Sequence, residues 1–530
     1  MRELDSWRVT GRRALRVARQ RGWWGPGGAL SRTPGGTPAA ALLFAVPAAV
    51  FGLLLALALA GSWFSFLGQG PKDDRPPEEY FKYGSIGNEA TDGLPYLVWL
   101  VLPEVFPEYL PGAGAGVGAG VGAGTGTGGY AAFGFAYEAG RESPIGFSVK
   151  TVGFPRIAIN CAVCHSGTFR TAPDAPPTIV PTAPAVRMDS QAYLRFLFRC
   201  AEDPRFTADT LLPAIEARPG ARLSPIDRAL YRHLIIPLTR SALLKLKERY
   251  AWTESRPLWG PGRIDPFNPV KFNQLGLNPD KDRTIGNSDM QPLWNMARHE
   301  GYSLHWDGLN DSLTEVVLTG AIGDGATPKT LPVGDLRRLE AWLRTVPPPA
   351  YPFPIDRELA ARGEPVFQRL CASCHAFGGE RTGTVIPLAE VGTDRHRLDM
   401  WTLQAATRYN NYASDRPWRF ERFVKTDGYA SVAMDGLWLR APFLHNGSVP
   451  TLEDLLEPAA SRPTVFFRGY DVYDRQRTGF VHQGPEAERH GFRYDTRVPG
   501  NGNAGHEGEA YGTTLSPDEK RALIEYLKTQ

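Results

Sequence analysis

CAVCH at residues 161–165 and CASCH at residues 371–375 are the two stretches of sequence that decide the fold. Both have the form C-x-x-C-H, in which two thiols lie about one helical turn apart and an imidazole follows directly. That spacing is typical of covalent haem c attachment, because two such thiols reach the two vinyl groups of one porphyrin. The adjacent histidine then lies beneath the ring and binds the iron. The sequence therefore predicts two haem c groups, held by Cys161, Cys164 and His165 and by Cys371, Cys374 and His375.

A single C-x-x-C-H motif also occurs as half of a zinc site or as a redox dithiol. Zinc requires further Cys or His pairs at ligand spacing, and a thioredoxin-like dithiol requires a βαβ context. Neither accompanies these motifs, so haem is the favoured interpretation. The four motif cysteines leave Cys200 of the five in the chain. It ends the helical apolar pattern YLRFLFRC, and we expect its side chain to be a buried hydrophobic group.

Composition excludes several classes of protein. The 530 residues are 42% apolar and 22% charged, which is ordinary globular usage and excludes a disordered chain or a polytopic membrane protein. The 57 Gly and 46 Pro residues predict long loops. The net charge is +3, and no basic stripe follows the N-terminal segment, so we expect no nucleic-acid partner.

The N-terminus is basic and precedes a long apolar stretch. Residues 1–38 hold eight Arg and two acidic residues, and residues 39–60 read AAALLFAVPAAVFGLLLALALA. A helix needs about 20 apolar residues to cross a bilayer, and a basic flank stays in the cytoplasm. The sequence therefore predicts a transmembrane anchor at 39–60, with the haem domains on the periplasmic or extracellular side. The alternatives are a signal sequence cleaved after Ala60 and a buried core helix.

Two stretches of unusual composition divide the rest of the chain. GAGAGVGAGVGAGTGTGG at 112–129 predicts a flexible loop that closes a juxtamembrane segment, 61–129. PPPAYPFP at 347–354 predicts a stiff linker between a first haem c domain, 130–346, and a second, 355–530. Helical periodicity is found at 191–200, 225–234, 241–250, 335–345, 356–370 and 517–528. The predicted class is mainly α: two cytochrome c-like haem domains with large irregular loops, preceded by one N-terminal transmembrane helix.

The two predicted domains repeat each other. TLPVGDLRRLEAWLRT at 330–345 parallels TLSPDEKRALIEYLKT at 514–529, with a constant offset of 184. In small c-type cytochromes the sixth iron ligand lies on the loop before this closing helix. The second domain has His506 there, whereas the first has Ile322 at the same offset.

This difference predicts two unlike irons. We expect the second haem to be six-coordinate with His375 and His506, with His445 as the alternative ligand. We expect the first haem to have His165 on one face and an open distal face that binds O2 or peroxide.

Outside the haem motifs, the strongest candidates for catalytic residues are in the consecutive run His305-Trp306-Asp307. A His near a distal pocket shuttles protons and a Trp between two haems relays electrons, so His305 and Trp306 are the candidate catalytic residues. The stretch around them, 293–317, parallels 437–456, and that alignment pairs His305 with His445. The alternative is therefore that both histidines are structural and bond a haem propionate or the backbone.

Longer stretches carry a resemblance to a known family. They are YGSIGNE (83–89), FPRIAINCAVCH (154–165), WGPGRIDPFNPVK (259–271), LHWDGLN (304–310), DGLWLRAPFLHNGSVPTLEDLL (435–456) and GNGNAGHEGEAYGTTLSPDEKRALIEYLKT (500–529). The chain resembles the di-haem cytochrome c peroxidase superfamily, and more closely its rubber-oxygenase-like branch. The resemblance implies an exported, mainly helical di-haem protein with peroxidase or oxygenase chemistry at the N-terminal haem. It also implies that His165 and His375 are proximal ligands, that His506 is the distal ligand of the second haem, and that Trp306 lies near the active haem.

The predicted function is that of an exported di-haem c-type cytochrome acting as a redox enzyme. Peroxide reduction or O2 activation takes place at the N-terminal haem, and the C-terminal haem stores and transfers electrons. The expected partners are a redox protein or quinone-linked donor, peroxide or O2, and the membrane through the N-terminal helix. The alternatives are a pure electron-transfer cytochrome, a rubber-oxygenase-like dioxygenase and a non-catalytic gas sensor.

Overall fold

The computed structural model describes residues 73–112 and 129–530. The predicted basic segment 1–38 and the predicted transmembrane anchor 39–60 lie outside these residues, as does most of the glycine-rich loop. The described residues belong to one compact unit. The indole Nε1–H of Trp438 donates to the carbonyl oxygen of Pro349 over 2.8 Å, so the proline-rich stretch packs on the second half of the chain. The division into two haem domains stays a prediction.

The helices of the described chain follow the predicted periodicity. All six predicted helical stretches are confirmed: the one predicted at 241–250 begins five residues earlier, at Ile236, the other ends agree to within two residues, and 231–235 is π-helical. N-terminal capping residues explain where several helices begin. The Ser516 hydroxyl and the Glu519 carboxylate, for example, form a capping box at the start of the last helix. The α-helices are Pro77–Tyr83, Tyr96–Val105, Ser190–Glu202, Ala208–Glu216, Pro225–Leu230, Ile236–Tyr250, Leu313–Gly323, Val333–Leu343, Arg357–Leu370, Ala372–His375, Leu388–Val391, His396–Met400, Leu403–Tyr412, Leu452–Leu455, Pro485–His490 and Pro517–Leu527.

Short antiparallel strands correct the predicted mainly α class. The described residues hold six small sheets, one of three strands and five of two. Most of these strands are two to four residues long, too short for a period of two to show in the sequence. The strands are Leu94–Pro95, Phe147–Val152, Phe154–Ile159, Ser166–Phe169, Thr178–Pro181, Arg263–Ile264, Ser288–Asp289, Val385–Pro387, Gly428–Ala430, Val465–Arg468, Tyr473–Asp474, Gly479–Phe480 and Phe492–Asp495.

The described residues contain no counterpart of the predicted membrane helix, whose stretch 39–60 lies outside them. None of the helices within 73–112 and 129–530 combines the length and the apolar composition that a membrane crossing requires. A mainly α fold is therefore the wrong description of the residues that the structure describes, since short sheets run among the helices. The membrane-anchored localisation predicted from the N-terminal helix has no support among these residues.

The last helix of the chain packs closely against an earlier one. Arg357–Leu370, which leads into the second C-x-x-C-H motif, packs against the last helix, Pro517–Leu527. A Cβ atom at Gly363 would overlap the carbonyl oxygen of Ala522, so glycine is what allows the two backbones to approach this closely. Leu523 is fully buried in the same contact region, which places the second motif on a rigid support.

Candidate functional site

The first C-x-x-C-H motif follows a β-hairpin. Strands Phe147–Val152 and Phe154–Ile159 pair antiparallel, and the motif begins directly after them with the 3-10 turn Cys161–Val163. Asn160 holds this turn: its side-chain oxygen accepts from the N–H of Ala162 over 2.9 Å, and its amide donates to a neighbouring backbone carbonyl. The buried Asn160 thus fixes where the motif starts.

The second motif begins where a helix ends. Helix Arg357–Leu370 stops at Cys371, and the short helix Ala372–His375 carries the rest of the motif. All five cysteines are free thiols in the structure, and Cys200 is fully buried as predicted.

Both motif histidines are held in the same way. The Nδ1 atom of His165 lies 2.8 Å from the carbonyl oxygen of Gln291, and Nδ1 of His375 lies 2.7 Å from the carbonyl oxygen of Val432. A backbone carbonyl accepts only from a protonated nitrogen, so each Nε2 keeps its lone pair for a metal. Burial lowers the pKa of His165 to about 4, which keeps the ring neutral. These are the features of an iron ligand with its supporting partner.

His506 faces His375. The two ring centroids are 6.2 Å apart, and the rings are inclined by 52°. A metal ion bound at about 2 Å by each of two facing imidazoles holds the ring centroids roughly 6 Å apart, so the separation suits an iron between them. Burial lowers the pKa of His506 to about 3, and its Nδ1 is buried without a hydrogen-bond partner among the described residues.

Arg462 fixes the loop that carries His506. The guanidinium is buried and donates to the carbonyl oxygens of Asn503, Gly505 and His506 over 2.6, 2.9 and 3.2 Å. The N–H of His506 itself donates to the carbonyl oxygen of Val391 over 2.7 Å. The loop is therefore set by a buried arginine that the sequence analysis missed, because nothing in the local sequence pairs Arg462 with residues forty positions later.

A cavity of about 810 Å³ opens beside the first motif. Its walls include both thiols of that motif, His165, and the candidate catalytic residues His305 and Trp306. Together with the carbonyl-bonded histidine, this volume fits a haem attached to Cys161 and Cys164.

The surroundings of the motif cysteines do not resemble a metal site without porphyrin. Burial raises the pKa of the Cys161 and Cys371 thiols, so both are protonated when nothing is bound to them. Across the described residues, no group of three or more His, Cys, Asp or Glu side chains is placed to hold a bare metal ion. The four motif cysteines therefore suit covalent attachment better than zinc binding.

Trp306 bridges the two halves of the chain. Its indole Nε1–H donates to the carbonyl oxygen of Asp289 over 2.8 Å, and its own carbonyl oxygen accepts from the N–H of Ala430 over the same distance. The side chain also lines the cavity.

A continuous hydrogen-bonded path follows from these contacts. Asp289 lies two residues before Gln291, whose carbonyl oxygen holds the first motif histidine. Ala430 lies two residues before Val432, whose carbonyl oxygen holds the second. Trp306 therefore connects the two backbone segments whose carbonyl oxygens bond the two motif histidines. These segments are far apart in the sequence and meet only in the folded chain.

His305 points a free nitrogen into buried space. Its Nε2 is buried without a hydrogen-bond partner in the described chain, and its backbone has a positive φ of 64°. Burial lowers its pKa to about 3, and the nearby Arg397 adds to the shift. Arg397 in turn forms a buried bidentate ion pair with Asp307, over 3.0 and 3.1 Å. His305, Trp306 and Arg397 thus line the first cavity, and Asp307 holds Arg397 there.

His445, the alternative ligand, is engaged elsewhere. Its ring stacks on Tyr429 with centroids 4.2 Å apart, and its Nε2 lies 3.2 Å from the Tyr429 hydroxyl. That hydroxyl donates to the carbonyl oxygen of Asp394 over 2.6 Å. Between the two candidates, His506 is the one that faces His375.

The site contains residues that sequence reasoning could not find. Gln291 and Val432 act through backbone oxygens, so their side chains carry no signal. Asp324, which ends helix Leu313–Gly323, lines the cavity, and burial raises the pKa of its carboxyl to about 7. A lone Asp after a helix is a common cap, so its sequence position did not mark it.

Comparison with known proteins bears on the second half of this site. Residues 428–467 match the family model described as RoxA-like, cytochrome c-like. This segment is similar to RoxA-like cytochrome c domains. It includes Val432, which holds the second motif histidine, and the Tyr429–His445 pair. The match supports the rubber-oxygenase-like branch and implies haem c.

Two curated proteins of Sinorhizobium fredii (strain NBRC 101917 / NGR234) are similar to this chain. The uncharacterized protein y4iM is 29% identical over 284 residues, 46% of this chain and 64% of its own length. The uncharacterized protein y4iJ is 47% identical over 107 residues, 19% of this chain and 17% of its own length. The aligned part of the chain thus spans less than two thirds of either relative.

Proposed function

We propose that the chain is a di-haem c-type cytochrome that acts as a redox enzyme. Cys161, Cys164 and His165 would hold the first haem, where peroxide or O2 would react. Cys371, Cys374, His375 and His506 would hold the second, which would store and transfer electrons. A redox protein or a quinone-linked donor supplies those electrons.

The asymmetry of the two histidine environments carries this proposal. The His375 and His506 rings are spaced so that both could bind one iron, which would leave no position there for a substrate. His165 instead borders a cavity of about 810 Å³. When bound, haem c supplies a redox-active iron whose behaviour depends on its axial ligands and on the polarity of its surroundings.

The residues of the cavity would handle protons and electrons. The free Nε2 of His305, which lines this cavity, would hold or pass a proton there. The ion pair with Asp307 keeps Arg397 beside this histidine. Trp306 supports electron transfer, since it connects the segments that hold the two proximal histidines.

Spectra and turnover of the haem-loaded protein test the proposal. We expect two covalent haems by mass spectrometry and a ferric spectrum with one high-spin and one low-spin component. Peroxide-dependent oxidation of a small electron donor should be lost in a His165→Ala variant. A wholly low-spin spectrum in the wild type that becomes partly high-spin in His305→Ala would instead identify His305 as a ligand and the protein as an electron carrier.

The RoxA-like match at 428–467 favours a second candidate, a rubber-oxygenase-like dioxygenase. The two enzymes differ in the oxidant that they consume. Oxygen uptake with polyisoprene and without an added reductant is the expected result for the dioxygenase. Peroxide consumption that requires a reductant is the expected result for the peroxidase.

A further inference from the structure

The continuous helical segment 225–250 carries an exposed row of apolar side chains. It consists of helix Pro225–Leu230, the π-helical turn Tyr231–Ile235 and helix Ile236–Tyr250. Half of the eight large hydrophobic side chains that are exposed in the described chain lie on it, at intervals of four residues. They are Ile226, Leu230, Leu234 and Leu238, exposed by 74, 37, 47 and 58%.

The π-helical turn keeps these four side chains in line. In an α-helix of 3.6 residues per turn, positions four apart drift by about 40° around the axis at each step. A π-helical turn takes up about one more residue, which reverses the drift at the step from Leu230 to Leu234. The row therefore stays on one side of the helix.

The row is separate from the face that packs into the protein. Tyr231, Ile235 and Leu243 are buried on the inner face, with exposures of 4, 6 and 1%. They belong to the core that also contains residues of the helix Ser190–Glu202. The helix therefore has its packing partners without the outer row, and the row has no partner in the described chain.

Basic side chains accompany the row. Residues 222–250 contain seven Lys or Arg and two acidic residues. Four of the basic residues pair with carboxylates of neighbouring segments, as Arg228 does with Glu216 over 3.2 Å. The remaining three have no carboxylate partner among the described residues: Arg222, Arg240 and Lys245.

The size and charge of this face suit a lipid surface better than a second copy of the chain. Four side chains exposed to this extent cover roughly 300–400 Å², the scale of patches that are often functional. A stable protein interface needs about 800 Å² from each partner, twice that area. Unpaired cations on both copies would also repel each other, whereas they attract anionic lipid headgroups.

We propose that Ile226, Leu230, Leu234 and Leu238, flanked by Arg222 and Lys245, form a docking face for an anionic lipid surface. The helix lies along that surface, with its leucines in the headgroup region, and does not cross it. The face is independent of the haem chemistry, because the row lies on the outer side of the helix.

Binding of the full chain to vesicles tests this proposal. The probe is vesicles of phosphatidylcholine and phosphatidylglycerol in equal parts, and the readout is cosedimentation. The double variant Leu234→Gln, Leu238→Gln should partition roughly tenfold less than the wild type, since part of the transfer free energy of two leucines is removed. The matched control Leu258→Gln, Leu403→Gln changes leucines exposed by 44 and 70% elsewhere and should bind like the wild type.

Hydrogen exchange locates the contact. Amides of residues 225–238 should exchange more slowly when vesicles are added, and Arg222→Glu with Lys245→Glu should weaken binding and remove its dependence on salt. Equal binding of the row variant and the wild type, or unchanged exchange at 225–238 in vesicle-bound protein, overturns the proposal. So does a lipid-independent dimer that the row variant abolishes, which would make the occupant a second copy of the chain. Circular dichroism confirms that each variant is folded.

Discussion

Trp306 occupies in the first half of the chain the position that His445 occupies in the second. Each is the third residue of a seven-residue turn closed by an antiparallel bridge, 304–310 in one half and 443–449 in the other. Both turns have left-handed backbone at the second position, with φ of 64° and 65°, and at the fifth, with φ of 61° and 64°. The pairing of His305 with His445 in the sequence alignment is therefore wrong by one residue.

The two turns also exchange hydrogen bonds between the halves. The carbonyl oxygen of Trp306 accepts from the N–H of Ala430 over 2.8 Å, and that of His445 accepts from the N–H of Asp289 over 2.9 Å. Each turn thus bonds the strand that supports the motif histidine of the other half. The regions around the two motif histidines are interlocked at this point. The backbones of the two turns match there, but their side chains differ.

Replacing Trp306 tests the role of this contact in electron transfer. Trp306→Phe removes the Nε1–H that donates to Asp289 and should cost about 1–3 kcal/mol of stability. We expect both haems to attach and electron exchange between them, followed by rapid mixing, to slow. Trp438→Phe loses an equivalent hydrogen bond, to Pro349, at a site that does not line the cavity. Equal electron-exchange rates in the two variants would contradict a relay through Trp306.

Removing His506 tests the ligands of the second haem. His506→Ala should convert a low-spin ferric signal to a high-spin one in electron paramagnetic resonance, without loss of either covalent haem. His445→Ala loses the stacking on Tyr429 and should be less stable, but it should keep the low-spin signal. The reverse pattern would make His445 the ligand.

The carboxyl of Asp324 should make stability depend on pH. Burial raises its pKa to about 7, whereas an unfolded Asp has a pKa of about 3.9. Between these values the folded state holds a proton that the unfolded state has lost, so the free energy of unfolding falls as the pH rises from about 4 to about 7. Asp324→Asn cannot ionise, and its melting temperature should exceed that of the wild type more at pH 8 than at pH 5. The control is Asp415→Asn, whose side chain is 76% exposed, and it should show no such difference.

The close approach of the last helix predicts a strong effect of one methyl group. Gly363→Ala forces a Cβ onto the carbonyl oxygen of Ala522 and should destabilise the fold by about 1–3 kcal/mol, as overpacking does. Gly334→Ala, in another helix with open space around the position, should be neutral or stabilising by up to about 1 kcal/mol. Chemical denaturation measures both variants. A similar gain in the two would show that helix propensity outweighs the packing at Gly363.

The local chemistry of this protein could be predicted from its sequence, because it depends on neighbours in the chain. The C-x-x-C-H motifs place thiols and imidazole within one helical turn, and the periodicity of 357–370 and 517–527 follows from side chains three and four residues apart. The loop containing His506 could be found by its offset from the closing helix. The short strands could not be predicted, because two to four residues are too few to show an alternation of apolar and polar side chains.

What only the tertiary structure decided is which groups meet across long stretches of chain. The partners of His165 and His375 are backbone carbonyls of Gln291 and Val432, and a carbonyl is present at every residue, so no pattern distinguishes these two. The equivalence of Trp306 and His445 depends on backbone angles, not on residue type, and sequence alignment therefore matched the histidines instead. The protonation states of buried groups also depend on the tertiary structure. The protonation of Asp324, for example, is set by the side chains that exclude water from its carboxyl group.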